Sequence, residues 1–324
     1  MRRGGPASGL MRAAAFLFPM LAFAGAADAR EASEDGWRLV WSDEFNGTAI
    51  DRGKWDFDVD CWGGGNNERQ CYTDRSANAA IEDGKLVVTA RKEAMTGPAF
   101  PLSQRGDPAK AKAEATKAFT SARLVTRGKA AWTYGKIEVR AKLPQGQGIW
   151  PAIWMLPETH HYGGWAASGE IDILEAVNLG VRCDECAGGI ENRILGTLHF
   201  GGQWPDNKYK GDETALPAPL DGFHIFGIVW QRGKIVWTVD GKPYATRVAS
   251  EWTTSGSSDP AAPFDRPFHL ILNLAVGGGL AEGRGLKGVD EKGYPKFMEI
   301  DWVRVWQCGG DGVSDCGTTG DQDK

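Results

Sequence analysis

The sequence predicts an all-β domain, a β-sandwich or jelly roll. Short runs alternate apolar and polar side chains along most of the chain, as in Gly135–Leu143, which reads as a half-buried antiparallel strand. Gly-rich turns separate these runs, drawn from 44 glycines. Helical periodicity is nearly absent. Many short strands with frequent turns bury their apolar faces by stacking two sheets.

In chain order, Trp37–Phe45 is the first strand, with Trp41 and Phe45 expected in packing and Asp43 and Glu44 able to cap the next turn or hold an ion. The Gly/Asn-rich segment 62–68 is a flexible loop carrying side-chain amides. Residues 80–91 form a strand pair around Glu82-Asp83-Gly84. Pro98, Pro101, Gly106 and Pro108 break regular structure in an insertion over 92–118, whose Ala/Lys-rich end, 109–118, predicts a short surface helix. Residues 119–126, 135–143 and 148–156 are three more strands, the last with Pro151, which predicts locally broken pairing. Residues 178–193 are a loop, 196–200 a strand, and 202–219 a loop that offers Trp204 as an aromatic platform. A hairpin of 223–231 and 234–239, a strand over 268–276 and a closing strand over 297–307 complete the pattern. There are no internal repeats.

The first 29 residues read as an export signal: Arg2, Arg3 and Arg12, then apolar Ala13–Phe23, then Ala27-Asp28-Ala29 as a cleavage site. No later stretch reaches the apolar length of a membrane span, so the chain is expected to be secreted, with a single domain over 30–310 and a flexible tail over 311–324. Net charge is −5, and −7 once the three arginines and Asp28 of the first 29 residues are removed. That acidity excludes an electrostatic case for nucleic acid or anionic membranes and argues weakly against sulfated polymers. Six cysteines in the mature part suit an oxidising compartment. Sequence neighbours suggest Cys61–Cys71, Cys183–Cys186 and Cys308–Cys316, although fifteen pairings exist. Without a second C-x-x-C, Cys183 and Cys186 make a poor zinc site.

The chemistry is concentrated in Gly169-Glu170-Ile171-Asp172-Ile173-Leu174-Glu175-Ala176-Val177. Strand alternation puts Glu170 and Asp172 on one face and Ile171 and Ile173 on the other. Glu175 arrives one residue late, and a β-bulge absorbing one residue returns it to the acidic face. Glu170 and Glu175 are then about 13 Å apart at Cα, leaving about 5 Å between carboxyls that lean together. A retaining glycosidase needs about that separation. A solvated edge strand would explain the acids alone, but not the aromatic segment 148–156 before them. There Trp150 and Trp154 share a strand face with Ala152 between them, a floor for stacking sugar rings.

Glu170-Ile171-Asp172-Ile173-Leu174-Glu175 after Trp150-Pro151-Ala152-Ile153-Trp154-Met155-Leu156 resembles glycoside hydrolase family 16, in particular its bacterial endo-β-1,3-glucanases, the laminarinases. The resemblance extends to segments 41–47, 66–70, 134–140, 196–200 and 301–307. It implies a jelly roll with substrate along a concave sheet, Glu170 as nucleophile, Glu175 as acid/base, and Asp172 orienting the nucleophile. It places Asn67 and Arg123 at the sugar and His199 beside the acid pair, to hydrogen-bond substrate or tune a carboxylate. On their own strands Trp150 and Trp154 read as the floor of that cleft and Asn273 as an amide within it. The resemblance implies a structural calcium ion at Glu44, the Gly84 backbone and Asp301, and no cofactor for catalysis. The expected partner is a β-glucan and the chain is taken as a monomer. By the same resemblance, the extra residue in the acidic strand implies laminarin rather than mixed-linkage glucan as the preferred substrate. The competing expectations are a galactan-cleaving member of the family and a non-catalytic glucan-recognition module, and retention of all three acids argues against the module.

Overall fold

The computed structural model describes residues 36–308 together with Met1, Gly4, Gly5 and Cys316. Packing separates Met1–Arg30 from Glu31–Lys324, and the fold lies in the second unit. The export segment and most of the expected tail fall outside the described residues. Among those residues, no helix is long and apolar enough to cross a membrane.

The chain opens with β1 (Trp37–Asp43), β2 (Asp56–Phe57), β3 (Gln70–Tyr72), β4 (Ala79–Glu82) and β5 (Lys85–Ala90). β6 (Met95–Pro98) and β7 (Glu114–Lys117) flank the helix α1 (Pro108–Lys112). Then come β8 (Phe119–Ser121), β9 (Arg123–Val125), β10 (Gly135–Lys142), β11 (Ile149–Pro157) and β12 (Glu170–Ala176). β13 (Arg193–Gly201), β14 (Asn207–Ala215), β15 (His224–Gln231), β16 (Lys234–Val239) and β17 (Lys242–Val248) follow. β18 (Phe268–Val276), the helix α2 (Gly279–Gly283) and β19 (Lys296–Cys308) end the fold.

Two antiparallel sheets form the jelly-roll sandwich. One runs β17-β16-β15-β10-β19-β5-β4, with β1 also on β19. The other, which carries the site, runs β14-β13-β12-β11-β18-β9-β2. Alternation decides what each strand gives to the core. Ile149, Ile153 and Met155 of β11 and Leu270, Leu272, Leu274 and Val276 of β18 point inward, against Ile137 and Val139 of β10 and Val303 and Val305 of β19. The intervening residues of β11 and β18 are thereby turned to the outer face.

Four local expectations are corrected. The loop over 202–219 contains β14, paired with β13 from Arg193↔Ala215 to Gly201↔Asn207. Residues 119–126 form two strands because the chain changes partners: β8 lies parallel to β3, while β9 pairs with β18 and β2. The helix in the insertion ends at Lys112, and β7 pairs with β6 instead. A further strand, β17, follows Asp240-Gly241 and pairs with β16. Pro151 behaves as its missing N–H requires: β11 pairs with β18 through it, whereas its pairing with β12 begins only at Ala152↔Glu175.

The insertion packs against the 61–68 loop. Cys61 N–H donates to the Pro98 carbonyl at 2.7 Å, and Lys117 Nζ donates to the Glu68 carbonyl at 2.8 Å. All three neighbouring cysteine pairs are bonded: Cys61–Cys71, Cys183–Cys186 and Cys308–Cys316.

Candidate active site

The β-bulge sits where the acidic strand requires it. On β13, Asp172 faces Thr197 and Glu175 faces Leu195, so three steps on β12 match two on its neighbour. Ile173 and Leu174, successive residues, both enter the core. Glu170, Asp172 and Glu175 are therefore left on the outer face. The Asp172 carbonyl at the bulge accepts from Trp237 Nε1 at 2.8 Å, an indole reaching across from β16. Gly196 clears its path: a Cβ there would lie 2.4 Å from the Trp237 ring and 2.6 Å from the Tyr244 hydroxyl.

Each glutamate is held by an indole. Trp165 Nε1 donates to Glu170 Oε2 at 2.7 Å, and Trp150 Nε1 donates to Glu175 Oε1 at 3.0 Å. His199, opposite Glu170 across the β12–β13 ladder, places Nε2 3.2 Å from Asp172 Oδ2 and 3.7 Å from Glu170 Oε1. Its Nδ1 is buried without a hydrogen-bond partner among the described residues.

Burial raises the pKa of all three carboxyls, to about 8 in each. Glu170 is raised next by the Asp172 charge, and Glu175 by Asp172 and, more weakly, Glu68. The indole hydrogen bonds and nearby His199 pull both glutamates partly back. A general acid needs a carboxyl that keeps its proton near neutrality, and this environment supplies one.

The same shift affects stability. A carboxyl protonated up to about 8 when folded, but only to about 4 when unfolded, favours the folded state below pH 4 and loses that contribution as pH rises to 8. Glu170→Gln and Glu175→Gln are therefore expected to melt about 2–4 °C above wild type at pH 8, for each kcal/mol relieved. The difference should vanish toward pH 4, and calorimetry across that range checks it. Equal melting temperatures at pH 8 would mean that the carboxyls are not held protonated.

The sequence-predicted substrate residues divide. Arg123 lies on β9 in the outer face, its guanidinium 4.4 Å from the Tyr72 ring centre and 5.3 Å from that of Trp154, and it is 9% exposed. Trp154 is half-buried beside it, where an open floor was expected. Trp150 is no open floor: it is packed against Val177, Ala275 and Ala281 with its N–H spent on Glu175. Asn273 is also not a free amide. Its Oδ1 accepts from Trp154 Nε1 at 2.6 Å and its Nδ2 donates to the Tyr72 hydroxyl at 3.1 Å, so it fixes the ring rather than offering itself. Asn67 stands exposed with φ 60° at the loop tip.

Sequence reasoning passed over Glu68 and Trp165. Glu68 is buried and accepts from Gln70 Nε2 at 2.6 Å and the Tyr72 hydroxyl at 3.2 Å, with Arg123 Nη2 4.0 Å away. One acid in a Gly/Asn loop carries no periodic signal, although Gln70 and Tyr72 at alternate positions hint at its partners.

Two of the three expected calcium ligands, Glu44 and Asp301, are each paired with an arginine. Arg304 clamps both oxygens of Glu44, at 3.0 and 2.8 Å, and Arg140 is paired with Asp301. Two guanidinium groups already neutralise the carboxylates that the ion would need.

A sandwich with two glutamates bracketing an aspartate on one sheet face has the components of a glycoside hydrolase. The chain belongs to glycosyl hydrolases family 16, which it matches over residues 67–304. It is 40% identical over 299 residues to a glucan endo-1,3-beta-glucosidase of Cryptopygus antarcticus, covering 90% of this chain and 98% of that one. It is 38% identical over 284 residues to glucan endo-1,3-beta-glucosidase A1 of Niallia circulans, covering 84% of this chain but only 38% of that protein's length. The laminarinase structure from Rhodothermus marinus superposes with a TM-score of 0.68 at 37% identity, covering 85% of this chain and 98% of that one.

Proposed function

We propose that this chain is a secreted retaining endo-glycosidase acting on internal β-1,3 bonds of laminarin-like glucans. The observation that carries the reading is the bulge, which brings Glu170, Asp172 and Glu175 to one face, each glutamate tethered by an indole. The names of the relatives support the substrate.

Glu170 attacks the anomeric carbon while Glu175 donates its proton to the departing glycosidic oxygen. A glycosyl ester on Glu170 results, and Glu175, now ionised, draws a proton from the water that hydrolyses it. Asp172 lies beside Glu170 on the same strand face, and its burial, which raises its pKa to about 8, lets it hold the proton that Glu170 must lack to attack. The tether from Trp165 favours ionised Glu170. On the other side, Glu68 adds a charge that disfavours ionised Glu175. Two carboxyls suffice, and the steps draw on no cofactor.

Laminarin should be cut fastest and mixed-linkage β-1,3-1,4-glucan less well, with agarose and carrageenan resistant. Incubation with all four, followed by product sizing, tests this. Oligosaccharides from agarose or carrageenan with none from laminarin would overturn the substrate assignment and leave the mechanism standing.

A further inference from the structure

An aromatic track leads from Glu170 to the β14 edge of the sheet. Across the ladders, Glu170 faces His199 and His199 faces Tyr209. The Tyr209 ring lies over His199 with centres 6.0 Å apart and planes 37° apart, and Trp165 approaches the same imidazole at 5.6 Å. Trp204, between β13 and β14, donates its backbone N–H to the Trp165 carbonyl at 2.8 Å. Trp204 and Tyr209 are each 74% exposed, although neighbouring β14 positions are polar or charged.

Large rings left in water beside buried carboxyls are costly unless something covers them. Two strand spacings, about 10 Å, separate β12 from β14. A pyranose ring is about as wide as one such spacing, so a ring over Tyr209 belongs to the second sugar beyond the one at the carboxyls. We infer that Trp204 and Tyr209 form a distal stacking platform for the apolar faces of glucan sugars on this side of the cleavage point. The inference rests on the proposed glucanase reading. Stacking needs the rings and not the phenol hydroxyl, so the platform should be sensitive to ring loss alone.

The test is hydrolysis of β-1,3-gluco-oligosaccharides of increasing length by wild type, Trp204→Ala, Tyr209→Ala, Trp204→Phe and Tyr209→Phe, each checked for an unchanged melting temperature. The alanine variants should lose under twofold in kcat/KM on the shortest substrates cleaved and about tenfold on long ones. The loss should appear mainly in KM, and the phenylalanine variants should recover most of it. A loss independent of chain length, or no loss, in an enzyme that cuts laminarin would overturn the platform alone. Failure of the wild type to cut any β-1,3-glucan would overturn the substrate reading and the platform with it.

Discussion

Glu170→Ala and Glu175→Ala are each expected to lower laminarin hydrolysis by about 10⁴-fold or more, and azide should then separate them. With Glu170 shortened, Trp165 loses its acceptor and the space below the anomeric carbon opens. Azide entering there displaces an activated aryl leaving group directly and gives an α-glycosyl azide. With Glu175 shortened, the glycosyl ester on Glu170 still forms from an activated substrate, and azide attacks its opposite face to give the β-azide. Nuclear magnetic resonance of the products distinguishes the two anomers. The same anomer from both variants would contradict the assigned roles. Unchanged hydrolysis by either variant would remove that glutamate from the chemistry.

Trp237→Phe should be the most damaging change away from the carboxyls. It deletes the donor to the Asp172 carbonyl inside the core, and an unsatisfied buried carbonyl costs about 1–3 kcal/mol. Gly196→Ala attacks the same contact from the other side, driving a methyl into the Trp237 ring and the Tyr244 hydroxyl, for about 1–3 kcal/mol of overpacking. Because both act through one indole, the double variant should cost less than the sum. Both single variants should also lower kcat, since the bulge that aligns Glu170 with Glu175 loses its support from the opposite sheet. Chemical denaturation and initial rates on laminarin check this. A Trp237→Phe protein with wild-type stability and kcat would show that the bulge holds itself.

The bulge and its acidic face were legible because strand parity is strict: one late acid among alternating aliphatics has few solutions. The sandwich was legible for the same reason. What escaped was decided by partners distant in sequence. Trp150 reads as a floor from its spacing to Trp154, yet Val177, Ala275 and Ala281 close over it. Asn273 reads as a cleft amide until Trp154 and Tyr72 occupy both of its ends. Glu44 and Asp301 read as ion ligands until Arg304 and Arg140 arrive from elsewhere in the same sheet. Trp165 sits in a loop with no period to mark it. β14 lacks the aliphatic alternation that announces a strand, because its residues have little core to face.

That polar composition has a consequence for the enzyme in concentrated solution. An outermost strand offers a row of unused backbone donors and acceptors to any extended segment that passes, including the same strand in another molecule. β14 presents Lys208, Lys210, Asp212 and Glu213 along that margin, and the opposite margin, β2, is only two residues long. Addition of a neighbour's strand would have to bury those charges or settle for two rungs of pairing. The features that hid β14 from a pattern search thus discourage fibre growth from a sheet that must keep one broad face open to a polymer.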